Sequence, residues 1–376
     1  MSSLAANRFR GRRDEAHLMR FLITGGAGFI GSNAADRLRA AGHDVVVFDN
    51  FSRAASGFNR AWLESRQTGI RFVQGDVRDA GALRTALADP FDVVLHLAAQ
   101  VAVTTSIVDP RADYDVNALG TFQLLDELRR RHADAPDRAP LLIYASTNKV
   151  YGHLTSGETI RDGRWDFAER TEGVSEEEPL SFESPYGCSK GAADQYVVDF
   201  HRSYGLPTVA MRQSCIYGPR QFGEEDQGWV AWFALAAVFG LPITFYGDGL
   251  QVRDLLWVED LVELYLAAAA NRSRVAGRAY NVGGGPGYRL SLTELMAMLE
   301  RKLGRRIEIG RAPARLGDQP VFYCNVSRAE RELGWKPRVS PDEGVERLLE
   351  WIHGSRDEIG RFLARKGLRV ASSSER

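Results

Sequence analysis

Short apolar runs recur along the first two thirds of the chain and alternate with amphipathic stretches. The runs occupy residues 20–24, 45–49, 71–76, 93–99, 141–146 and 208–214, and helical patterns lie between them at residues 32–41, 112–131 and 184–204. Strands that are apolar at nearly every position are buried on both faces, and strands that alternate with helices form parallel sheets. The pattern therefore predicts an α/β fold with a doubly wound parallel sheet of the Rossmann type.

The last third of the chain mixes its elements in a different order. Helical patterns at residues 292–303 and 340–353 are interspersed with short strands, which predicts a smaller mixed α/β domain packed on the first. We assign residues 19–212 and 255–283 to the first domain. Residues 213–254 and 284–365 are assigned to the second. The leader at residues 1–18 and the tail at residues 366–376 are expected to be disordered.

Two stretches depart from this regular alternation. Residues 229–245 carry no charge, but they are short for a membrane span and contain Gly240 and Pro242. They predict a buried helix that ends at Gly240 and is followed by a strand. Residues 153–183 form a long polar and acidic insertion, which we expect to be irregular and lid-like.

Composition excludes several classes of function. The chain of 376 residues has 48 basic and 49 acidic side chains, a balance that argues against a general nucleic-acid or membrane-surface binder. Its three cysteines, Cys188, Cys215 and Cys324, provide no disulfide framework, which fits a reducing, cytoplasmic compartment. The basic N-terminal leader lacks the apolar run of a secretory signal, and Met19 is an alternative start.

A glycine-rich turn follows the first predicted strand. The motif T-G-G-A-G-F-I-G places glycines at positions 25, 28 and 31, between a strand and a helix, as a dinucleotide fingerprint requires. Gly25 permits the tight turn, Gly28 lets the backbone approach a pyrophosphate, and Gly31 allows close packing of the helix. Asp49 ends the second strand and favours NAD over NADP, although Arg53 keeps NADP open. The alternative is a glycine-rich turn without a ligand.

A tyrosine and a lysine share one face of a predicted helix. Tyr186 and Lys190 are four residues apart, and a nearby ammonium is expected to lower the pKa of the phenol and make it a usable base. Only five of the 48 basic residues are lysines, so a retained lysine suggests a role that Arg cannot fill. The alternative is a solvated surface pair. At the end of the fifth strand, Thr147 or Ser146 could hydrogen-bond a reacting oxygen; Thr147 is favoured over a plain strand-end cap.

Together these motifs resemble the extended short-chain dehydrogenase/reductase family of nucleotide-sugar epimerases and dehydratases. The likeness runs from about residue 19 to residue 353. It implies that NAD is the cofactor, that the catalytic set is Thr147, Tyr186 and Lys190, and that no metal ion takes part. The cofactor-binding residues are expected to be Gly25, Gly28, Phe29, Ile30, Gly31, Asp49, Asn50, Asp76, Val77, Leu97, Ala98, Ala99 and Lys190. For Asp76, a simple helix cap is an equal alternative.

The resemblance also implies a substrate. Arg253, in V-R-D-L-L-W-V-E-D, and Arg315, in R-L-G-D, match the arginines that bind the diphosphate of a nucleotide sugar. Ordinary surface ion pairs are the alternative for both. Further substrate contacts are expected at Thr104, Thr105, Ser106 and Asn148. Loop capping is the alternative for Thr104, Thr105 and Ser106.

Within the family, the sequence argues against dehydration. Dehydratases carry S-T-D-E-V-Y-G, whereas this chain has Asn148 and Lys149 at the acid and base positions. Several stretches, among them S-T-N-K-V-Y-G and D-Q-G-W-V-A-W-F, resemble the subgroup of 2-epimerases that act on CDP-activated sugars. Cys215 supports this assignment because that subgroup also lacks the usual Asn.

The resemblance therefore implies inversion at C2 of the sugar through transient oxidation to a ketone. A homodimer or homotetramer that pairs helices at residues 112–131 and 186–204 is expected. The alternatives are a 4-epimerase or decarboxylase of the same family, a plain alcohol dehydrogenase, and a non-catalytic NAD-binding regulator.

Overall fold

A computed structural model describes residues 18–152, 154, 157–315 and 318–368 of the chain. The predictions for the leader up to residue 17 and for the tail from residue 369 lie outside these residues. Lys366, which we expected to begin the tail, is described, and its Nζ lies 2.9 Å from a carboxylate oxygen of Glu224.

The described residues contain the following elements. The strands are β1 Arg20–Thr24, β2 Asp44–Asp49, β3 Arg71–Gln74, β4 Val93–His96, β5 Leu141–Thr147, β6 Glu158–Arg161, β7 Arg164–Phe167, β8 Thr208–Gln213, β9 Cys215–Tyr217, β10 Ile243–Tyr246, β11 Val252–Trp257, β12 Arg278–Val282, β13 Arg289–Ser291, β14 Ile309–Ala312 and β15 Val321–Phe322. The helices are α1 Phe29–Ala40, α2 Ser56–Arg66, α3 Ala80–Ala86, α4 Val103–Val108, α5 Pro110–Tyr114, α6 Gly120–Arg131, α7 Ser184–Tyr204, α8 Trp229–Phe239, α9 Val258–Ala270, α10 Arg272–Val275, α11 Leu292–Leu303, α12 Ser327–Leu333, α13 Pro341–Gly354 and α14 Arg356–Arg365.

Seven parallel strands form the central sheet, in the order β3-β2-β1-β4-β5-β8-β12. The predicted doubly wound fold is confirmed. Strands β3 and β4 are shorter than predicted. The pairing between β2 and β3 stops at Asp49 and Gln74, and the pairing between β1 and β4 stops at Thr24 and His96. The apolar residues that follow, Leu97–Ala99, leave the sheet and are available to a ligand at its carboxyl edge.

Alternate side chains of the central strands belong to two separate hydrophobic cores, one on each face of the sheet. In β1, Phe21 and Ile23 face α1 and α9, whereas Leu22 faces the layer that contains α6 and α7. Each of these three side chains is fully buried. Helices thus cover both faces of the sheet, which explains why its strands are apolar at nearly every position.

The second domain surrounds the uncharged helix α8. Ten of its eleven residues are buried, against α11, α13 and α14, and the helix ends at Gly240 in the left-handed conformation. The prediction of a buried helix followed by a strand is confirmed. No helix in the described part of the chain has the length and apolar character needed to cross a membrane.

The insertion at residues 153–183 differs from the prediction, and helix α12 lies apart from the core of the second domain. The insertion at residues 153–183 is not wholly irregular, because β6 and β7 pair as an antiparallel hairpin. Trp165 ties this hairpin to the second domain by donating from Nε1 to Asp248 at 2.8 Å. Helix α12 packs against the first domain, since Ala329 and the nearby Trp335 lie in the same core as α9.

Candidate functional site

A cleft of about 430 Å³, here called the glycine cleft, opens at the carboxyl ends of β1, β2 and β4. Every residue predicted to bind the cofactor lines it. These are Gly25, Gly28, Phe29, Ile30, Gly31, Asp49, Asn50, Asp76, Val77, Leu97, Ala98, Ala99 and Lys190. The sequence pattern missed other lining residues, including Gln100, Gln213 and Gln227, whereas Arg53, named above for its bearing on NADP, also lines the cleft.

The glycine turn is built for close backbone approach. Gly25 has φ of +68°, and a Cβ there would lie 2.7 Å from the Ala98 nitrogen. A Cβ on Gly31 would lie 2.4 Å from the Gly25 oxygen, so α1 can pack on the turn only with glycine there. Gly28 caps α1 without a side-chain hydrogen bond, which leaves the N–H groups of the first helical turn to a ligand.

Two carboxylates lie along the cleft. Asp49 accepts hydrogen bonds from the backbone nitrogens of Ala27 at 3.0 Å and Phe51 at 2.8 Å, while burial raises its pKa. Hydrogen bonds from Arg78 hold the pKa of Asp76 well below its usual range. The cap of α3 is Asp79, so the helix-cap alternative for Asp76 is wrong.

The end of β5 distinguishes the two candidate hydroxyls. Ser146 donates to Asp194 at 2.7 Å, whereas Thr147 lies close enough to the Tyr186 phenol to lower its pKa, against the larger effect of burial. The hydroxyl of Ser106 is fully buried and accepts from the Tyr186 backbone nitrogen at 3.1 Å. Thr147 therefore lies beside the candidate base, and Ser106 fixes the helix that carries it.

The electrostatics of the tyrosine–lysine pair differ from the prediction. Lys190 donates from Nζ to the Ala145 carbonyl at 2.6 Å and lies 4.2 Å from the centre of the Tyr144 ring. Burial lowers the pKa of Lys190 to about 7 and raises the pKa of Tyr186 to about 12. The expectation of a lowered phenol pKa is wrong for the cofactor-free protein, because burial outweighs the hydrogen bond from Thr147.

A second cleft of about 450 Å³, here called the arginine cleft, adjoins the first. It is lined by Arg253 and Arg315. Arg253 pairs with Asp318 at 2.7 Å, and only 14% of its side chain is exposed. The guanidinium of Arg315 lies 3.9 Å from the centre of the Tyr246 ring. Arg253 thus forms an ion pair inside the cleft, and the assignment of both arginines to a diphosphate stays a prediction.

The predicted substrate contacts divide between several places. Thr104 lines the arginine cleft, whereas Thr105 lines the glycine cleft. Ser106 and Asn148 are buried and line neither cleft; Asn148 Oδ1 lies 3.4 Å from the Thr147 hydroxyl. Their assignment as direct substrate contacts stays a prediction.

The arginine cleft also contains residues that the sequence did not single out as substrate contacts. Its wall includes the aromatic side chains of Phe233 and Tyr246 from the second domain. Lys149 also lines it, and burial lowers the pKa of this lysine to about 8. The scarcity of lysine in the chain is the signal that could have identified it.

The two clefts are continuous. Val101 and Gln227 line both, and Tyr186 lies in the wall of the glycine cleft. Ligands in the two clefts would thus come closest to each other near Val101 and Gln227. No group of three or more His, Cys, Asp or Glu within the described ranges could hold a metal ion.

The glycine cleft fits a dinucleotide. Its helix N-terminus offers unpaired N–H groups to a diphosphate, and Asp49 offers acceptors to ribose hydroxyls. A doubly wound sheet with this turn and a Tyr–Lys pair on an adjoining helix defines an enzyme of the short-chain dehydrogenase/reductase class.

Comparison with known proteins establishes the family. The model of the NAD dependent epimerase/dehydratase family matches residues 21–283, and the chain belongs to this family. It is 42% identical to the CDP-paratose 2-epimerase of Salmonella typhi over 342 residues, which cover 89% of this chain and 99% of that protein.

Solved structures agree with this assignment. The UDP-glucose 4-epimerase of Thermus thermophilus, crystallised with NAD, gives a TM-score of 0.74 at 32% identity, covering 90% of this chain and 100% of that one. Pal from Bacillus thuringiensis gives a TM-score of 0.77 at 31% identity, covering 89% and 99%. The chain is therefore an NAD-dependent enzyme, as the resemblance implied.

Proposed function

We propose that this chain is an isomerase that inverts C2 of a CDP-activated sugar resembling paratose or tyvelose. The observation that carries the proposal is the placement of Tyr186 and Lys190 together in the wall of the glycine cleft, with Thr147 near the phenol and no carboxylate at positions 148 and 149. Proton transfer at a sugar hydroxyl needs Thr147, Tyr186 and Lys190, whereas elimination of water also needs an acid and a base. The 42% identity to a CDP-paratose 2-epimerase supports the choice of C2 and of cytosine.

Each residue of the proposed catalytic set has a separate role in proton transfer. Tyr186 takes the proton of the sugar hydroxyl and later returns it, while Thr147 holds the same oxygen. Lys190 stabilises the phenolate when its ammonium is protonated. When bound along Gly28 and Asp49 in the glycine cleft, NAD would supply the hydride acceptor and donor for this chemistry, and its cationic ring would favour the phenolate.

The substrate is anchored away from its reacting carbon. Arg253 and Arg315 lie in the arginine cleft and would bind the diphosphate, since guanidinium groups pair with two oxygens at once. The sugar then turns between two poses while the nucleotide stays fixed. Because oxidation and reduction cancel, we expect NAD to stay bound between turnovers.

The proposal includes a homo-oligomeric assembly and a cytoplasmic location. Tyr196 and Tyr204 are half exposed on α7, and Phe122 on α6 contacts the Tyr196 ring with centroids 5.5 Å apart. An exposed aromatic surface of this kind supports pairing of these helices in a homodimer or homotetramer. All three cysteines are free, which supports a reducing cytoplasm.

The test uses purified protein without added cofactor and a panel of CDP-, UDP-, GDP- and dTDP-sugars. NMR of each product reports inversion at each carbon. Inversion at C2 of a CDP-sugar without build-up of NADH is the expected result. Inversion only at C4 would replace the proposal by a 4-epimerase, and net NADH production would indicate a dehydrogenase. Bound NAD with no turnover of any sugar would favour a non-catalytic role.

A further inference from the structure

A side-chain hydrogen bond joins the two domains at the glycine cleft. Arg53 follows β2 in the first domain, and its Nη2 donates to Gln227 Oε1 in the second domain at 2.9 Å. Both residues line the glycine cleft. Because their bond connects opposite walls, a dinucleotide that leaves past these residues must first break it.

We propose that Arg53 and Gln227 form a clasp across the glycine cleft that keeps NAD bound between turnovers. The proposal deepens the proposed function, because an epimerase that returns its hydride to the same substrate needs a cofactor that does not exchange. Neither residue belongs to the glycine fingerprint or to the catalytic set.

The Gln227 half of the clasp is held rigidly. Residues 224–227 form a tight turn closed by two backbone hydrogen bonds between Glu224 and Gln227, of 3.1 and 3.0 Å. Neighbouring side chains fix the turn from outside, since Asp226 accepts from Thr104 at 2.7 Å and Glu225 accepts from Tyr246 at 2.9 Å. A preorganised acceptor loses little side-chain entropy when the clasp closes.

The Arg53 half is held by charge. Burial lowers the pKa of Arg53, but the carboxylates of Glu224, Asp226 and Asp49 lie close enough to stabilise its guanidinium. Two of these carboxylates belong to the acidic turn of the second domain, and Asp49 ends β2. This arrangement places a cation in the wall of the cleft that is proposed to receive a diphosphate.

The turn also touches the substrate side. Thr104 lines the arginine cleft, the backbone oxygen of Glu225 accepts from Arg315 at 3.3 Å, and Gln227 itself lines both clefts. The clasp is thus supported by residues that line the arginine cleft.

The experiment measures NAD release from the full-length protein. The wild type and the variants Arg53→Ala, Gln227→Ala and the double variant are loaded with NAD and chased with excess NAD analogue, and the release rate is followed by fluorescence. A hydrogen bond to a charged group predicts release about 10- to 100-fold faster in each single variant. The double variant should release NAD no faster than the faster single variant, because both changes break the same bond.

Matched surface variants serve as controls. Arg37→Ala and Gln67→Ala remove an Arg and a Gln that line neither cleft, and each should release NAD at the wild-type rate. Thermal unfolding shows whether each variant is folded. Wild-type release in Gln227→Ala, or multiplicative effects in the double variant, would overturn the clasp. Because the readout is cofactor release alone, this outcome is independent of whether any sugar is epimerised.

Discussion

At the scale of single residues, the Tyr186 hydroxyl is the group on which the proposed chemistry depends. Replacing Tyr186 with Phe should lower kcat for epimerisation by about 10²- to 10⁴-fold, because proton transfer at the sugar oxygen is lost. NAD content should not change, since Phe keeps the wall of the cleft intact. Turnover is followed by NMR, with Tyr196→Phe, an exposed tyrosine on the same helix, as the control. Near-normal turnover in Tyr186→Phe would rule out this residue as the base.

The lowered pKa of Lys190 has a consequence for stability. Its folded pKa of about 7 lies below the ordinary lysine pKa of 10.5, so the unfolded chain holds this proton more tightly. The resulting cost to stability is full below pH 7 and diminishes as the pH rises toward 10.5. In cofactor-free protein, Lys190→Met should therefore raise the free energy of unfolding by a few kcal/mol more at pH 6.5 than at pH 9.5, at about 1.4 kcal/mol per pKa unit.

Urea unfolding at the two pH values measures this difference. The pH-independent loss of the hydrogen bond to the Ala145 carbonyl cancels in the comparison. An equal effect of Lys190→Met at both pH values would contradict the lowered pKa. Added NAD should reduce the pH dependence if the bound cofactor changes the charge state of the pair.

At the scale of elements, the contact between α1 and the glycine turn sets the shape of the cofactor cleft. Gly31→Ala places a methyl group 2.4 Å from the Gly25 backbone oxygen, and backbone cannot move aside as a flexible side chain can. The change should destabilise the protein by about 1–3 kcal/mol and abolish NAD retention. Unfolding in urea and the NAD content of purified protein measure the two effects.

Gly57 offers a matched control on the neighbouring helix α2. A Cβ at this position meets nothing within 4 Å. Gly57→Ala should leave NAD content unchanged and stability equal or slightly greater, since Ala favours helix over Gly. Similar losses in the Gly31 and Gly57 variants would mean that the close packing at Gly31 has no special role.

Local signals determined which elements the sequence could predict. The bounds of α7 agree with the prediction because Pro185 lies in its first turn and Gly205 ends it with φ of +70°. The ends of β3 and β4 were misjudged because they depend on where partner strands stop. The hairpin of β6 and β7 was missed because β6 has no buried residue and therefore no apolar pattern.

At the scale of the whole molecule, the two clefts differed in how far sequence could predict them. The glycine cleft is built from residues at or directly after the carboxyl ends of parallel strands, such as Asp49 and Leu97. Predicting where the strands end was therefore enough to predict this cleft. The arginine cleft collects side chains such as Trp229 and Tyr246 from separate elements of the second domain. Arg53 and Gln227 are 174 positions apart, and no local pattern connects them.

A buried ion pair ties the C-terminal helix α14 to the cofactor side of the molecule. Arg220 is 3% exposed, and it donates to Glu358 on α14 at 2.6 Å and to Asn59 on α2 at 3.0 Å. Asn59 in turn donates to the Ala27 carbonyl in the glycine turn at 3.1 Å. A continuous chain of hydrogen bonds thus runs from the last helix to the cofactor cleft.

Removing one partner of this pair should cost more than replacing both. Arg220→Met leaves the Glu358 carboxylate without its partner and should destabilise the protein by about 3–5 kcal/mol, whereas the double variant Arg220→Met, Glu358→Leu should recover much of that loss. Glu343→Gln breaks a surface pair with Arg347, and its cost should be about 0–1 kcal/mol. Urea unfolding gives all three values. The double variant could also be as unstable as Arg220→Met. That result would mean that the loss of the hydrogen bonds from Arg220 to Asn59 and the Phe58 carbonyl, rather than the loss of the ion pair, accounts for the cost.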